Sequence, residues 1–121
     1  MTHMNWNELN SNADLDQIKR ISSDHPVIIY KHSTRCSISS MALNRLERSW
    51  NNQELPAHSL YFLDLIRYRE LSNNIEIAFG VRHESPQILV ISDGKCVHHS
   101  SHMGISYKEI REIVQGAALV G

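Results

Sequence analysis

Four consecutive apolar residues, Val27-Ile28-Ile29-Tyr30, stand between a polar break, Ser22-Ser23-Asp24-His25-Pro26, and a polar loop, and they read as a short strand buried on both faces of a sheet. Before the break, Leu15, Ile18 and Ile21 recur at three-residue spacing behind Ser11-Asn12-Ala13-Asp14, a cap-like start, which predicts a helix over 12–22. Pro26 ends that pattern by removing a backbone donor and biasing His25 away from helical angles. After the loop, Ile38, Ala42, Leu46 and Trp50 repeat every four positions and predict a helix ending near Asn51-Asn52, with that stripe buried. Leu60 to Ile66 is a second apolar run, a neighbouring strand reached by a right-handed crossover. Leu71, Ile75, Ala78 and Phe79 then mark a helix closed by Gly80 in the left-handed region. Ser85-Pro86 opens the strand Ile88–Ile91, and Asp93-Gly94 turns it into a return strand, Lys95–Ser100. Ser106-Tyr107-Lys108-Glu109 fits a capping box, Ile105 and Ile110 form its hydrophobic staple, and Ile110, Ile113, Val114 and Ala117 face the core. Helices thus alternate with strands, an α/β pattern with helices on both faces of one mixed sheet.

Composition narrows the class. The 121 residues suit one domain, 1–121, with 41% apolar and 21% charged residues. Twelve basic against thirteen acidic residues leave a net charge of −1, which gives no electrostatic footing for nucleic acid or an anionic membrane surface. With two cysteines, no signal-like start and no apolar run of spanning length, the expected location is the cytoplasm, where thiols stay reduced.

One of those cysteines, Cys36, falls at the changeover from strand to helix. The first N–H groups of a helix have no intrahelical partner and carry the positive end of its dipole, so a thiolate there is favoured over the thiol. Arg35 adds a cation next door, and the first turn holds Ser37, Ser39 and Ser40 but no acid before Glu47. Cys36-Ser37-Ile38-Ser39 is a Cys-x-x-Ser motif, whose hydroxyl can donate to a thiolate but cannot close a disulfide, so the chemistry expected is monothiol exchange. The bland alternative is an inert buried filler. The flanking Lys31-His32-Ser33-Thr34-Arg35 and Ser-x-Ser-Ser are too polar for a core position.

The segment Lys31–Ser39 resembles the active-site motif of the YtxJ-type monothiol bacilliredoxins, which reads Thr-Cys-Pro-Ile-Ser, and Phe79-Gly80-Val81-Arg82-His83-Glu84-Ser85-Pro86-Gln87 is similar to that family's segment before its strand-initiating proline. The likeness runs from Leu15 to the last helix, with one departure: Ser37 stands where the family usually has proline. The resemblance implies a thioredoxin-like fold, in keeping with the order helix, strand, helix, strand, helix, hairpin, helix. It also implies a thiol–disulfide oxidoreductase that uses Cys36 to remove bacillithiol from bacillithiolated client proteins. Bacillithiol is then a co-substrate, and no bound cofactor or metal is expected. Arg35, Ser37, Ile38 and Ser39 are the expected stabilisers of the thiolate, with Thr34, Ser85, Pro86 and His102 around the substrate. By the same resemblance Ser85-Pro86 is cis and faces the cysteine, so that the backbone of Ser85 pairs with the peptide-like part of a bound thiol.

Topology bears on the remaining residues. Cys96 lies two residues past the Asp93-Gly94 turn; at about 3.3 Å per residue the return strand covers roughly 15 Å before it nears Cys36, while a disulfide needs Cα atoms within about 7 Å. Cys96 is expected to be structural. The same strand returns His99-Ser100-Ser101-His102 to the active end, and a metal site from Cys96, His98, His99 and His102 is disfavoured because His98 and His99 point to opposite faces. Lys31 and His32 are either cations that raise the local potential or a plainly solvated strand end. Tyr30 stands where thioredoxins carry a buried acid. For His25, His58 and His83 no pairing is legible. Two other activities fit the motif: an iron–sulfur carrier with Cys36 as ligand, and thioredoxin-like reduction of client disulfides.

Overall fold

Ser11 caps the first helix as its position suggests, its hydroxyl accepting from the Asp14 N–H at 3.2 Å. From there the computed structural model, which describes residues 4–120 and side chains as far as Ala117, follows the order β1 (Trp6–Glu8), α1 (Asn12–Ile21), β2 (Val27–His32), α2 (Ser37–Ser49), β3 (Ser59–Asp64), α3 (Arg69–Phe79), β4 (Gln87–Ser92), β5 (Lys95–Ser101) and α4 (Tyr107–Val120). The five strands form one sheet in the order β1-β3-β2-β4-β5. β1, β3 and β2 run parallel, and β4 and β5 are antiparallel additions beyond β2.

The alternation of β2 sorts the core into two layers. Val27 and Ile29 pack with Leu15 and Ile18 of α1 and Leu71 and Ile75 of α3, while Ile28 and Tyr30 pack with Ala42 and Leu46 of α2 and Ile110 and Val114 of α4. Both faces of the central strands are covered, which explains an apolar run with no polar alternation. Gly80 ends α3 with φ of +66°, the left-handed cap the sequence predicts. Asp93 and Gly94 both have positive φ, 55° and 76°, the geometry of a tight two-residue hairpin. Ser22 pins that turn, its carbonyl and hydroxyl accepting from the Asp93 and Gly94 N–H groups at 2.7 and 2.8 Å.

Several elements differ from the sequence reading. β1 is an additional edge strand, built from Trp6 and its neighbours and paired with Leu60–Phe62. β2 extends through Lys31 and His32, because both side chains are buried in pairs across the sheet and not solvated at a strand end. β3 stops at Asp64, whose carboxylate accepts from the Ile66 and Arg67 N–H groups and turns the chain toward α3. In α2 the buried stripe is Ser39, Ala42, Leu46 and then Trp50; Ile38 is 45% exposed. Positions 38 and 39 lie four and three residues before Ala42 and so border the same stripe; Ser39, bonded to His32 and Ser33, takes the inward place and leaves Ile38 outside.

Candidate active site

Cys36 is the N-cap of α2, with extended backbone angles (φ −116°, ψ 114°). A 3.2 Å bond from its N–H to the Ser33 carbonyl closes the loop that leads out of β2. No acidic residue occupies the first turn of α2. Among the described residues, the N–H groups of Ser37, Ile38 and Ser39 have no hydrogen-bond acceptor, so a negative charge at the half-buried Cys36 is met by unpaired donors and the positive end of the helix. Thr34, Arg35, Ser37 and Ile38 are exposed around it, and Met41 at 60% exposure extends the apolar surface that Ile38 begins.

Ser39 takes a different role from the one its motif suggests. It is fully buried, and its hydroxyl lies 2.6 Å from His32 Nδ1 and accepts from the Ser33 N–H at 3.2 Å. Since the Ser33 amide fills one acceptor position, the hydroxyl proton is directed at a neutral His32. Burial pushes the His32 imidazole below its ordinary range, in agreement with a neutral ring that accepts. Ser39 therefore anchors the cysteine loop to β2, while its contribution to a thiolate is its backbone N–H. Tyr30 closes the same face. Its hydroxyl donates to the Ser39 carbonyl at 3.0 Å, its ring stacks on Phe62 at 6.1 Å, and burial first, with the Cys36 charge a lesser cause, pushes the phenol up to about 12.

The other face of β2 carries a second polar group that the sequence reading leaves unpaired. Lys31 is fully buried, its ammonium donating to the Ser72 carbonyl at 3.3 Å and to His83 Nδ1 at 3.4 Å. Among the described residues no carboxylate lies within ion-pair distance of it, and burial lowers its pKa to about 8. Lys31 is thus neither a solvated strand end nor an exposed cation. His83, half-buried, is held below its ordinary range by burial and by the Lys31 charge. The signal for this pair lay in register alone: Lys31 shares the face of Ile29 and pairs across the sheet with Gln87.

Ser85-Pro86 is a cis peptide at the same end of the sheet, since Gln87, the next residue, is the β4 partner of Lys31. The Pro86 carbonyl accepts from the His102 N–H at 2.9 Å, so the strand pair β4–β5 does bring His102 to this end. His102 is exposed, with φ of 54°, and its neighbour Ser101 donates its hydroxyl to Glu84. That bond first, then the charges of His102 and Arg82, holds the Glu84 carboxyl below its usual range. Among the described residues the N–H and C=O of Ser85 have no backbone partner, which leaves them open beside Pro86.

Cys96 is held at the opposite end, paired with Ile91 and packed against the α1–α3 layer. Its thiol donates to the His98 carbonyl and is pushed up by burial. A bulge opposite Val90 and Ile91 shifts the register, so that His98 pairs with Val90 and His99 with Leu89. Cys96 thereby shares the face of His99 and not that of His98. Among the described residues no group of three histidine, cysteine or acidic side chains is placed to hold a metal ion.

Comparison with known proteins supplies the context for this arrangement. A solved structure described as a candidate oxidoreductase with a thioredoxin fold superposes with a TM-score of 0.70 at 26% identity, over 87% of this chain and 89% of the other. The thioredoxin of Fasciola hepatica matches with a TM-score of 0.68 at 17% identity, over 91% and 97% of the two chains. A Malassezia sympodialis thioredoxin gives 0.70 at 12% identity over 98% and 95%. These likenesses establish the thioredoxin fold. The family model for the monothiol bacilliredoxin BrxC matches residues 7–110, which span the Cys36 loop, Ser85-Pro86 and His102 together. With that match over most of its length, the chain belongs to the monothiol bacilliredoxin family and is a thiol–disulfide oxidoreductase.

Proposed function

We propose that the reaction is removal of bacillithiol from protein mixed disulfides in the cytoplasm, with Cys36 as the nucleophile. The observation that carries the reading is the placement of Cys36 at the head of α2, ahead of three N–H groups without an acceptor among the described residues, while Cys96 is anchored at the far end of β5. The Cys36 thiolate attacks the bacillithiol sulfur of the mixed disulfide. That S–S bond breaks, the client sulfur leaves with the electron pair and takes a proton from water, and Cys36 carries bacillithiol in a new disulfide. A second bacillithiol thiolate then attacks this adduct, giving bacillithiol disulfide and restoring Cys36. No second protein thiol is consumed, which suits a site with one cysteine.

Three groups of residues divide the work. The amides of Ser37, Ile38 and Ser39 and the cation of Arg35 favour the thiolate. The open backbone of Ser85 beside Pro86 accepts an extended stretch of substrate, with Thr34 and His102 on its rim. The exposed Ile38 and Met41 offer apolar contact to a client surface. The test is steady-state release of bacillithiol from a mixed-disulfide protein by wild type, Cys36→Ser and Cys96→Ala. Turnover lost in the first variant and kept in the second supports the reading. Equal rates in wild type and Cys36→Ser would overturn it.

A further inference from the structure

The segment Arg82–Pro86 is tied down from several directions. Gln87 Nε2 donates to the Arg82 carbonyl at 2.9 Å, and the His83 N–H donates to Glu76 Oε1. The Lys31 ammonium and the Ser72 hydroxyl both converge on His83 Nδ1, at 3.4 and 3.2 Å. Two donors facing one ring nitrogen require that nitrogen to be the acceptor, so His83 is neutral with its proton on Nε2. On the outer side Ser101 holds Glu84, and the His102 N–H holds the Pro86 carbonyl. Among the described residues the N–H and C=O of Ser85 stay open, as do those of Glu84, which is held by its side chain alone. The ammonium at the centre of this clamp is itself under-satisfied, with two long bonds and, among the described residues, no carboxylate within ion-pair distance; the Glu76 charge that favours it acts from farther away and does not outweigh its burial. A buried charge of that kind lowers stability relative to an apolar side chain of similar volume. Its position therefore asks for an explanation other than stability.

We propose that Lys31 is a positioning residue for the exchange reaction: from the buried face of β2 it joins α3 to His83, and so fixes the segment that presents the open edge of Ser85 to a substrate at Cys36. The inference rests on the assignment of Cys36 as nucleophile and adds to it a residue that touches neither the sulfur nor the substrate. Lys31 shares the sheet face of α1 and α3, whereas the loop anchors Tyr30, His32 and Ser39 share that of α2, so loss of the ammonium leaves the cysteine loop in place. Its effect falls on how well the substrate backbone is held.

The test compares wild type with Lys31→Met, which keeps an unbranched side chain of similar volume and removes the charge, and with Glu76→Ala and Glu76→Gln. The substrate is a short peptide bearing a bacillithiol mixed disulfide, and each protein is also alkylated by iodoacetamide, a small reagent that needs no backbone edge. Lys31→Met and Glu76→Ala are expected to raise KM about tenfold, to leave kcat and the Cys36 alkylation rate within about twofold, and to speed amide exchange in residues 82–85 about tenfold. Glu76→Gln keeps an acceptor for the His83 N–H and retains the wild-type KM. An unchanged KM in Lys31→Met overturns the proposal, and so does a KM rise matched by an equal loss of alkylation, which would mark a general disturbance. A wild-type protein that performs no exchange instead defeats the Cys36 assignment; the clamp then stands or falls on amide exchange alone.

Discussion

The two ends of this sheet are built on opposite principles. Of the buried polar side chains among the described residues, Lys31, His32, Ser33, Ser39, Ser72 and Gln87 gather where β2 leaves the sheet, and Ser22 alone serves the other end. At the far end the chain is closed by backbone geometry, a tight turn at Asp93-Gly94 pinned on Ser22, and its cysteine is a half-buried packing residue. At the near end, hydrogen bonds between side chains and distant loops hold two segments in fixed relation, the Cys36 loop through Ser39 and the Pro86 segment through His83. Such contacts stabilise less per buried atom than apolar packing does, since desolvation offsets most of their gain. What they add is direction, which a reactive site needs and a turn does not.

Exchanging the two cysteines is the severest way to break the comparison. Cys36→Ser should lower the rate of bacillithiol release by at least a factor of about a thousand, since an alcohol cannot replace the thiolate nucleophile. Cys96→Ala should stay within about twofold of wild type. Next in size is Ser39→Ala, which strands the Ser33 N–H and His32 Nδ1 in a buried setting and should cost about 2 kcal/mol in urea unfolding, with slower exchange as the loop loosens. Ser22→Ala should cost comparable stability through the turn and leave exchange intact, which separates stability from function at the two ends.

Stability against pH sharpens the contrast further. Lys31 titrates near 8 when folded and at 10.5 when exposed, so between those values the unfolded chain holds a proton that the folded chain has released, and stability rises with pH. The slope is at most about 1.4 kcal/mol per pH unit, and it should vanish in Lys31→Met. Above about 9 the trend weakens and then reverses, because burial raises the Cys96 thiol and pushes the Tyr30 phenol up to about 12, so the folded chain keeps protons that the exposed groups lose. On the acid side His32, His83 and His98 all have lowered pKa values from burial, so the unfolded chain takes up protons first and stability falls as pH drops below about 6.5. The smallest expected effect comes from Ser37→Pro. Position 37 is the first helical residue, its N–H has no acceptor among the described residues, and Cys36 already has angles suited to a residue before proline. A gain of about 0.5 kcal/mol is expected from the stiffer unfolded chain.

The strand β2, the Ser106 cap of α4, the Asp93-Gly94 turn and the placement of Cys36 at a helix start were legible because each is a local pattern, set by neighbours a few residues apart. The element order from α1 onward was legible for the same reason. Ile38 misled because the positions three and four before Ala42 both border the same stripe, and here Ser39, bonded to His32, takes the inward place at the first turn. Ser39 was found as a motif member but with a different partner, since His32 lies on the preceding strand. Lys31 with His83 was invisible: their contact spans 52 residues, and a lysine after four apolar residues reads as a strand end. Trp6 gave no strand signal, because an edge strand of three residues owes its existence to pairing with Leu60–Phe62 and not to its own sequence.

The central claim is that Cys36 alone receives the small thiol. It is tested most directly by mixing the protein with a stoichiometric amount of a bacillithiol mixed-disulfide client, quenching with acid at set times, and following every species by intact mass and peptide mapping. The account predicts release of client thiol in step with a single bacillithiol adduct, mapped to Cys36 and absent in Cys36→Ser. Client release without an adduct on Cys36, or an adduct on Cys96, would contradict it.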